Sequence, residues 1–96
     1  MPYYFIANIK IEDEKEYNNY LTEVDEVFAK HNGKYLAVDD NPTLLEGKWD
    51  YSRSIIIEFE SECDFKEWYY SDDYQRIFKH RLTAAVCDTI LVKGKN

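Results

Sequence analysis

The 96-residue sequence predicts an α+β sandwich: a four-stranded antiparallel sheet carrying its helices on one face. Three observations predict it. Runs rich in β-branched and aromatic residues recur along the chain. Two longer stretches space their apolar residues by three and four, the helical period. The elements fall in the order strand, helix, strand, and then the same order again.

"YYFIANIKI" (Tyr3 to Ile11) is the first strand. Asp13 with Glu16 forms a capping-box pattern, after which Tyr17, Tyr20, Leu21, Val24, Val27 and Phe28 repeat on one helical face. "NG" at Asn32-Gly33 predicts a left-handed stop to that helix. "KYLAV" (Lys34 to Val38) is a second strand, followed by the turn cluster "DDNP" and a loop, "TLLEGKWDYSR". "SIIIEF" (Ser54 to Phe59) is the third strand. Ser61 caps a helix carrying Phe65, Trp68 and Tyr69; Ser71, followed by Asp72 and Asp73, breaks it and caps a second run reaching about Val86. "TILV" (Thr89 to Val92) is the fourth strand.

Two split βαβ units of this kind make a ferredoxin-like βαββαβ sandwich with strand order 4-1-3-2, one domain over residues 1–96. Alternation places Tyr3, Phe5, Ala7, Ile9 and Ile11 on one face of the first strand, and Arg53, Ile55, Ile57 and Phe59 on the same face of the third. The helices belong over this face. Tyr4, Ile6, Ile56 and Leu91, with Leu36 and Val38, are assigned to the opposite face, which is too apolar for water on a monomer. The simplest cover is the same face of a second copy, giving a homodimer through the open sheet face.

Net charge is −7, which argues against nucleic acid, since phosphate binding draws on clustered Lys and Arg. No apolar run approaches the ~20 residues of a membrane span, and "MPYYFIANIKIEDE" lacks the marks of a signal peptide. Cys63 and Cys87, the two cysteines, form no CxxC and no Cys/His cluster, so neither a disulfide framework nor a metal site is expected. A cytoplasmic protein follows as the expectation, and nothing in the sequence calls for a cofactor.

Over its whole length the chain resembles the bacterial domain-of-unknown-function family 1330 (DUF1330), within the dimeric α+β barrel superfamily. The resemblance is carried by "NGKYL" (Asn32 to Leu36), "LEGKW" (Leu45 to Trp49), Arg53, "WYYSDDYQ" (Trp68 to Gln75), Arg81 and "LVKG" (Leu91 to Gly94). The chain departs from the family pattern at Asn32, where Gly is usual, and at Glu60, where Pro is usual. The resemblance implies a ferredoxin-like homodimer and brings no settled reaction. Relatives in the superfamily include cofactor-free monooxygenases, isomerases and haem-dependent peroxidases, and their activities would transfer by analogy of fold alone.

The candidate chemistry converges on two arginines. On the second half of the second helical segment, Tyr74, Ile77, Phe78, Leu82 and Ala85 share a stripe with Arg81 near its centre. A guanidinium keeps its proton, so a buried one needs a counter-charge or water. Topology brings Arg81 to the end of the sheet where Arg53 starts the third strand, with Asp88, Glu46, Trp49 and Tyr74 as expected neighbours. Trp68 and Tyr69 can line an aromatic pocket, although such stripes are ordinarily core. An internal acid, Glu46 or Asp88, accounts for the arginines as a structural ion pair; a ligand carboxylate or phosphate held bidentately accounts for them as a binding site.

His31 falls at the opposite end of the sheet, roughly 20 Å away at 3.3 Å per residue, where it complements a helix dipole. His80 points outward on the helix. Cys63, near a helix start, has no base beside it. Three functional readings remain. The first is a small-molecule-binding homodimer taking an anionic or aromatic metabolite between sheet and helices, its reaction unassigned. The second is a non-catalytic structural or interaction dimer, and the third a cofactor-free monooxygenase-like or isomerase-like enzyme by superfamily analogy.

Overall fold

A computed structural model describes residues 1–95. Its elements are β1 (Tyr3–Ile11), α1 (Glu14–Phe28), β2 (Gly33–Asp39), β3 (Arg53–Phe59), α2 (Glu62–Tyr69), α3 (Asp72–Ala84) and β4 (Ala85–Lys93). The strands form one sheet in the order β2-β3-β1-β4, with each neighbouring pair antiparallel. This is the predicted 4-1-3-2 order seen from the other edge. Phe5, Ala7 and Ile9 of β1 and Ile55, Ile57 and Phe59 of β3 are buried beneath the helices, as their alternation requires.

The helix starts are set by side-chain caps. Asp13 accepts from the Glu16 amide at 3.1 Å, Ser61 from Asp64 at 3.1 Å and Ser71 from Tyr74 at 3.1 Å. The Ser71 hydroxyl also donates to the Trp68 carbonyl at 2.8 Å, so one serine ends α2 and starts α3. Helices α1 and α3 run antiparallel and are linked by Glu16 with His80, Glu23 with Arg76 at 2.8 Å and Lys30 with Asp73 at 3.2 Å.

Four local expectations are corrected. Gly33 does not adopt a left-handed conformation; the positive-φ residue among those described is Gly47. Gly33 is needed for space instead: a Cβ there would lie 2.5 Å from the Phe28 ring and 2.7 Å from the Phe59 ring. Second, α3 passes into β4 without a loop, and the strand starts at Ala85 rather than Thr89. The Ala84 carbonyl accepts from the amides of both Glu12 and Asp13, which ties the junction to the end of β1, and Ala84 is fully buried there. Ala84, not Leu82, therefore completes the buried stripe of Tyr74, Ile77 and Arg81.

Third, Leu91 pairs with Phe5 and faces the helices, leaving Ile90 and Val92 on the open face. Fourth, a register shift between Tyr35 and Ala37 pairs Val38 with Ile55, turning Val38 to the helix side. The open face consequently carries a transverse row, Ala37, Ile56, Ile6 and Ile90, one residue from each strand. With a minimum extent of 15 Å, the molecule is one sheet and one helical layer thick. Ile90 stands 60% exposed on the uncovered side.

Candidate functional site

The sheet register builds one wall of the site. Arg53 of β3 and Cys87 of β4 both pair with Ile9 of β1, so the three form a row on the helix-facing side. Arg81 descends onto this row from α3, beside Cys87, and Tyr17 approaches from α1. Between the layers lies an enclosed cavity of about 20 Å³. Its floor is Phe5, Ala7, Ile9, Ile55 and Ile57; Tyr20, Leu21 and Val24 of α1 cover it. Trp68, Tyr74 and Arg81 close one side, and Tyr35 and Arg53 stand at the β2 edge. A space of this size takes about one water.

Arg81 is 3% exposed, and no carboxylate among the described residues lies within ion-pairing distance. Its guanidinium sits 4.6 Å from the centroid of the Phe78 ring, a cation–π contact. Burial works to lower its pKa, but Tyr74, Tyr20, Cys87 and Tyr69 around it turn the net shift upward, so it stays charged. Burial also pushes up the Cys87 thiol, which Arg81 draws down in part; the neutral thiol is the form held here. Arg53 differs, because its guanidinium meets Asp40 at 2.5 Å.

The hydroxyls follow the same pattern. Tyr20 and Tyr74 share a buried hydrogen bond of 2.8 Å. Tyr17 is pushed up to about 12 by burial, against the pull of Arg53 and Arg81. Among the described residues, four buried side-chain polar atoms lack partners: the Tyr17 hydroxyl, Arg53 Nε, Trp68 Nε1 and Arg81 Nε. Three of them are obligate donors. The cavity lining contains no carboxylate and no histidine. Its chemical complement is thus an acceptor, an anion or an uncharged oxygen, because unpaired buried donors are costly.

Of the residues singled out from the sequence, Arg53, Arg81, Tyr74 and Trp68 meet at this cavity. Glu46 and Trp49 lie apart from it, in a surface depression formed by residues 42–46 with Trp49. Asp88 sits on the open side of the sheet and accepts from the Tyr51 hydroxyl. Neither acid reaches Arg81, because Asp88 alternates with Cys87 onto the open face of β4 and Glu46 rides an irregular loop. His31 lies in the turn after α1, and His80, expected to point outward to solvent, is half-buried and pairs with Glu16. Tyr17, Tyr20, Tyr35, Cys87 and Asp40 were not foreseen here. Tyr17 and Tyr20 gave a signal, since their hydroxyls sit on an inward helical stripe and need partners. Among the described residues, no group of three or more His, Cys, Asp or Glu is placed to hold a metal ion.

Outside the cavity, a cleft between α1 and β2 is lined by Leu21, Val24, Asp25, Tyr35, Val38 and Arg53. A second groove holds Arg53 with Asp40, Tyr17 and Glu14. Leu21 and Arg53 belong to the cavity and to both grooves, so they form its entrance.

Solved structures share this fold. A protein of unknown function from Rhodopseudomonas palustris is 22% identical, with a TM-score of 0.81 over 99% of this chain and 83% of its own. A dimeric ferredoxin-like protein of unknown function from Jannaschia sp. CCS1 has a TM-score of 0.81 at 10% identity, covering 98% of this chain and all of its own. SnoaB, a cofactor-independent oxygenase from Streptomyces nogalater, has a TM-score of 0.70 at 12% identity over 99% of this chain and 94% of its own. At these identities the likeness is one of fold. Among curated proteins, no sequence matches the chain. The family model described as "Domain of unknown function (DUF1330)" matches residues 2–95, and the chain belongs to that family.

Proposed function

We propose that the protein is a cytoplasmic homodimer that binds a small anionic or aromatic metabolite between its sheet and helices, the ligand's body in the outer cleft at Arg53 and one oxygen directed inward to Arg81, so that the two arginines position it. The observation that carries the reading is Arg81: a guanidinium 3% exposed, with no carboxylate beside it, on a cavity edged by unpaired donors. An uncompensated buried charge costs several kcal/mol, and an acceptor-bearing ligand offsets that cost. Free Cys63 and Cys87, and the absence of any described helix long and apolar enough to cross a membrane, are consistent with the compartment.

The homodimer rests on the open sheet face. The row Ala37, Ile56, Ile6 and Ile90 crosses the uncovered face, with Val86, Ile90 and Val92 exposed, and an exposed apolar row of this kind marks an interaction surface. Self-complementary packing of this face covers it. The dimeric description of the protein from Jannaschia supports the same assembly.

A reaction is left unassigned because neither a carboxylate nor a histidine lines the cavity. Likeness to SnoaB is compatible with a cofactor-free enzyme and goes no further than fold. The purely structural reading has one observation in its favour, the Asp40 ion pair, which accounts for Arg53 but not for Arg81. Replacing Arg81 by Met and by Ala separates the readings. Retained folding with loss of thermal stabilisation by a panel of small carboxylic acids supports binding. Collapse of the melting temperature in both variants, with no acid stabilising the wild type, supports structure alone.

A further inference from the structure

The Asp40–Arg53 pair is asymmetric. Arg53 is a half-hidden side chain, 14% exposed, whose Nε is buried without a partner, while the Asp40 carboxylate is 73% exposed on the turn after β2. Asp40 reaches Arg53 through a single guanidinium nitrogen. It leaves unused the fork that a carboxylate fills best with two parallel bonds. Arg53 is also, with Leu21, shared by the cavity and by both outer grooves, and is the charged member of that pair.

We propose that Asp40 is an internal stand-in for the ligand's own carboxylate, and that the site takes a small monocarboxylate with an apolar body, which displaces Asp40 from Arg53. This deepens the binding reading above and rests on it. The class follows from the lining. Leu21, Val24, Tyr35 and Val38 make the open cleft beside Arg53 mostly apolar, and it offers about 480 Å³, room for a ring or a short branched chain. Asp25 in that cleft and Glu14 in the neighbouring groove disfavour a dianion such as a phosphate monoester. One guanidinium at the entrance matches one negative charge. Arg81 and Tyr17, deeper in, are left for a water or for a second oxygen of the ligand.

Displacement makes Asp40 a competitor, so its removal strengthens binding. The test measures benzoate, benzamide and phenyl phosphate by calorimetry against the wild type, Asp40→Asn, Asp40→Ser, Arg53→Gln and Arg53→Lys. Asp40→Asn and Asp40→Ser are expected to tighten benzoate roughly fivefold, the scale of an exposed ion pair. Benzamide and phenyl phosphate bind more weakly than benzoate, and Arg53→Gln abolishes benzoate binding. Arg53→Lys, which keeps the charge and loses the fork, weakens it. Wild-type benzoate binding that the Asp40 variants leave unchanged or weaken overturns the proposal while leaving the cavity reading intact. Absence of carboxylate binding in both the wild type and the Asp40 variants overturns the two together. Phenyl phosphate binding tighter than benzoate overturns the assigned class.

Discussion

The hydrogen bond between Tyr20 and Tyr74 offers a direct measure of how dry the space between α1 and α3 is. Both rings are buried, at 6% and 1% exposure, and their hydroxyl oxygens are 2.8 Å apart. Tyr74→Phe leaves the Tyr20 hydroxyl without its partner, and Tyr20→Phe does the reverse. An unsatisfied buried hydroxyl costs about 1–3 kcal/mol. Arg81 lies close enough to act electrostatically on both hydroxyls, which keeps the loss at about 1–2 kcal/mol. For a chain of this size that lowers Tm by about 4–16 °C. Removing both hydroxyls deletes their shared bond once but also takes two oxygens from beside the Arg81 guanidinium, so a loss smaller than the sum of the two single losses is expected. The assay is urea denaturation of the wild type, both single variants and the double variant at one protein concentration. The double variant should lose less stability than the two single losses added together. A double variant whose loss equals the sum of the single losses would show that the hydroxyls are independently hydrated and refute the reasoning.

Three further predictions follow from other parts of the molecule. Gly33→Ala pushes a methyl group against the Phe28 and Phe59 rings; a loss of about 1–3 kcal/mol is expected from overpacking, measured by thermal melting, and an unchanged Tm contradicts the steric account. Ile90→Asp places a charge in the transverse apolar row of the open face, and light scattering should report a monomer mass with helical circular dichroism retained. Tyr17 and Tyr35, both pushed up to about 12 by burial, stay neutral in the folded chain while the unfolded chain ionises near the ordinary tyrosine value of about 10. Their contribution is therefore fully present below about pH 10 and lost as pH rises towards about 12. Phenolate absorbance should show two classes of tyrosine, and a single class titrating near the ordinary value in folded protein refutes this.

The fold was legible because period and caps agreed. The alternation of β1 and β3, the serine caps at Ser61 and Ser71 and the inward stripe of α1 each stand in residues close along the chain. What was not legible depended on contacts between distant segments. The phase of β4 followed from a helix running into a strand at Ala84–Ala85, with no punctuation residue to mark it. The side of Val38 turned on a bulge opposite Ile56, which no local pattern announces. Arg81 was recognised as an inward charge from its own helix. Its lack of an acid could be learned only from where Asp88 and Glu46 went, and Asp40 was hidden in a turn motif.

The direct passage from α3 into β4 also limits how the chain can change length. An added residue at Ala84–Ala85 would turn α3 by about 100° relative to the strand, or else invert every side chain of β4. The first outcome swings Arg81 away from the cavity, and the second sends Cys87 to the opposite side of the sheet. Helix and strand are thus geared like two wheels on one shaft, with the buried guanidinium as the tooth that records their alignment. Residues 42–50 carry no such gearing, since they lie outside every helix and strand. Insertions and deletions compatible with this site should collect there and be excluded from the junction.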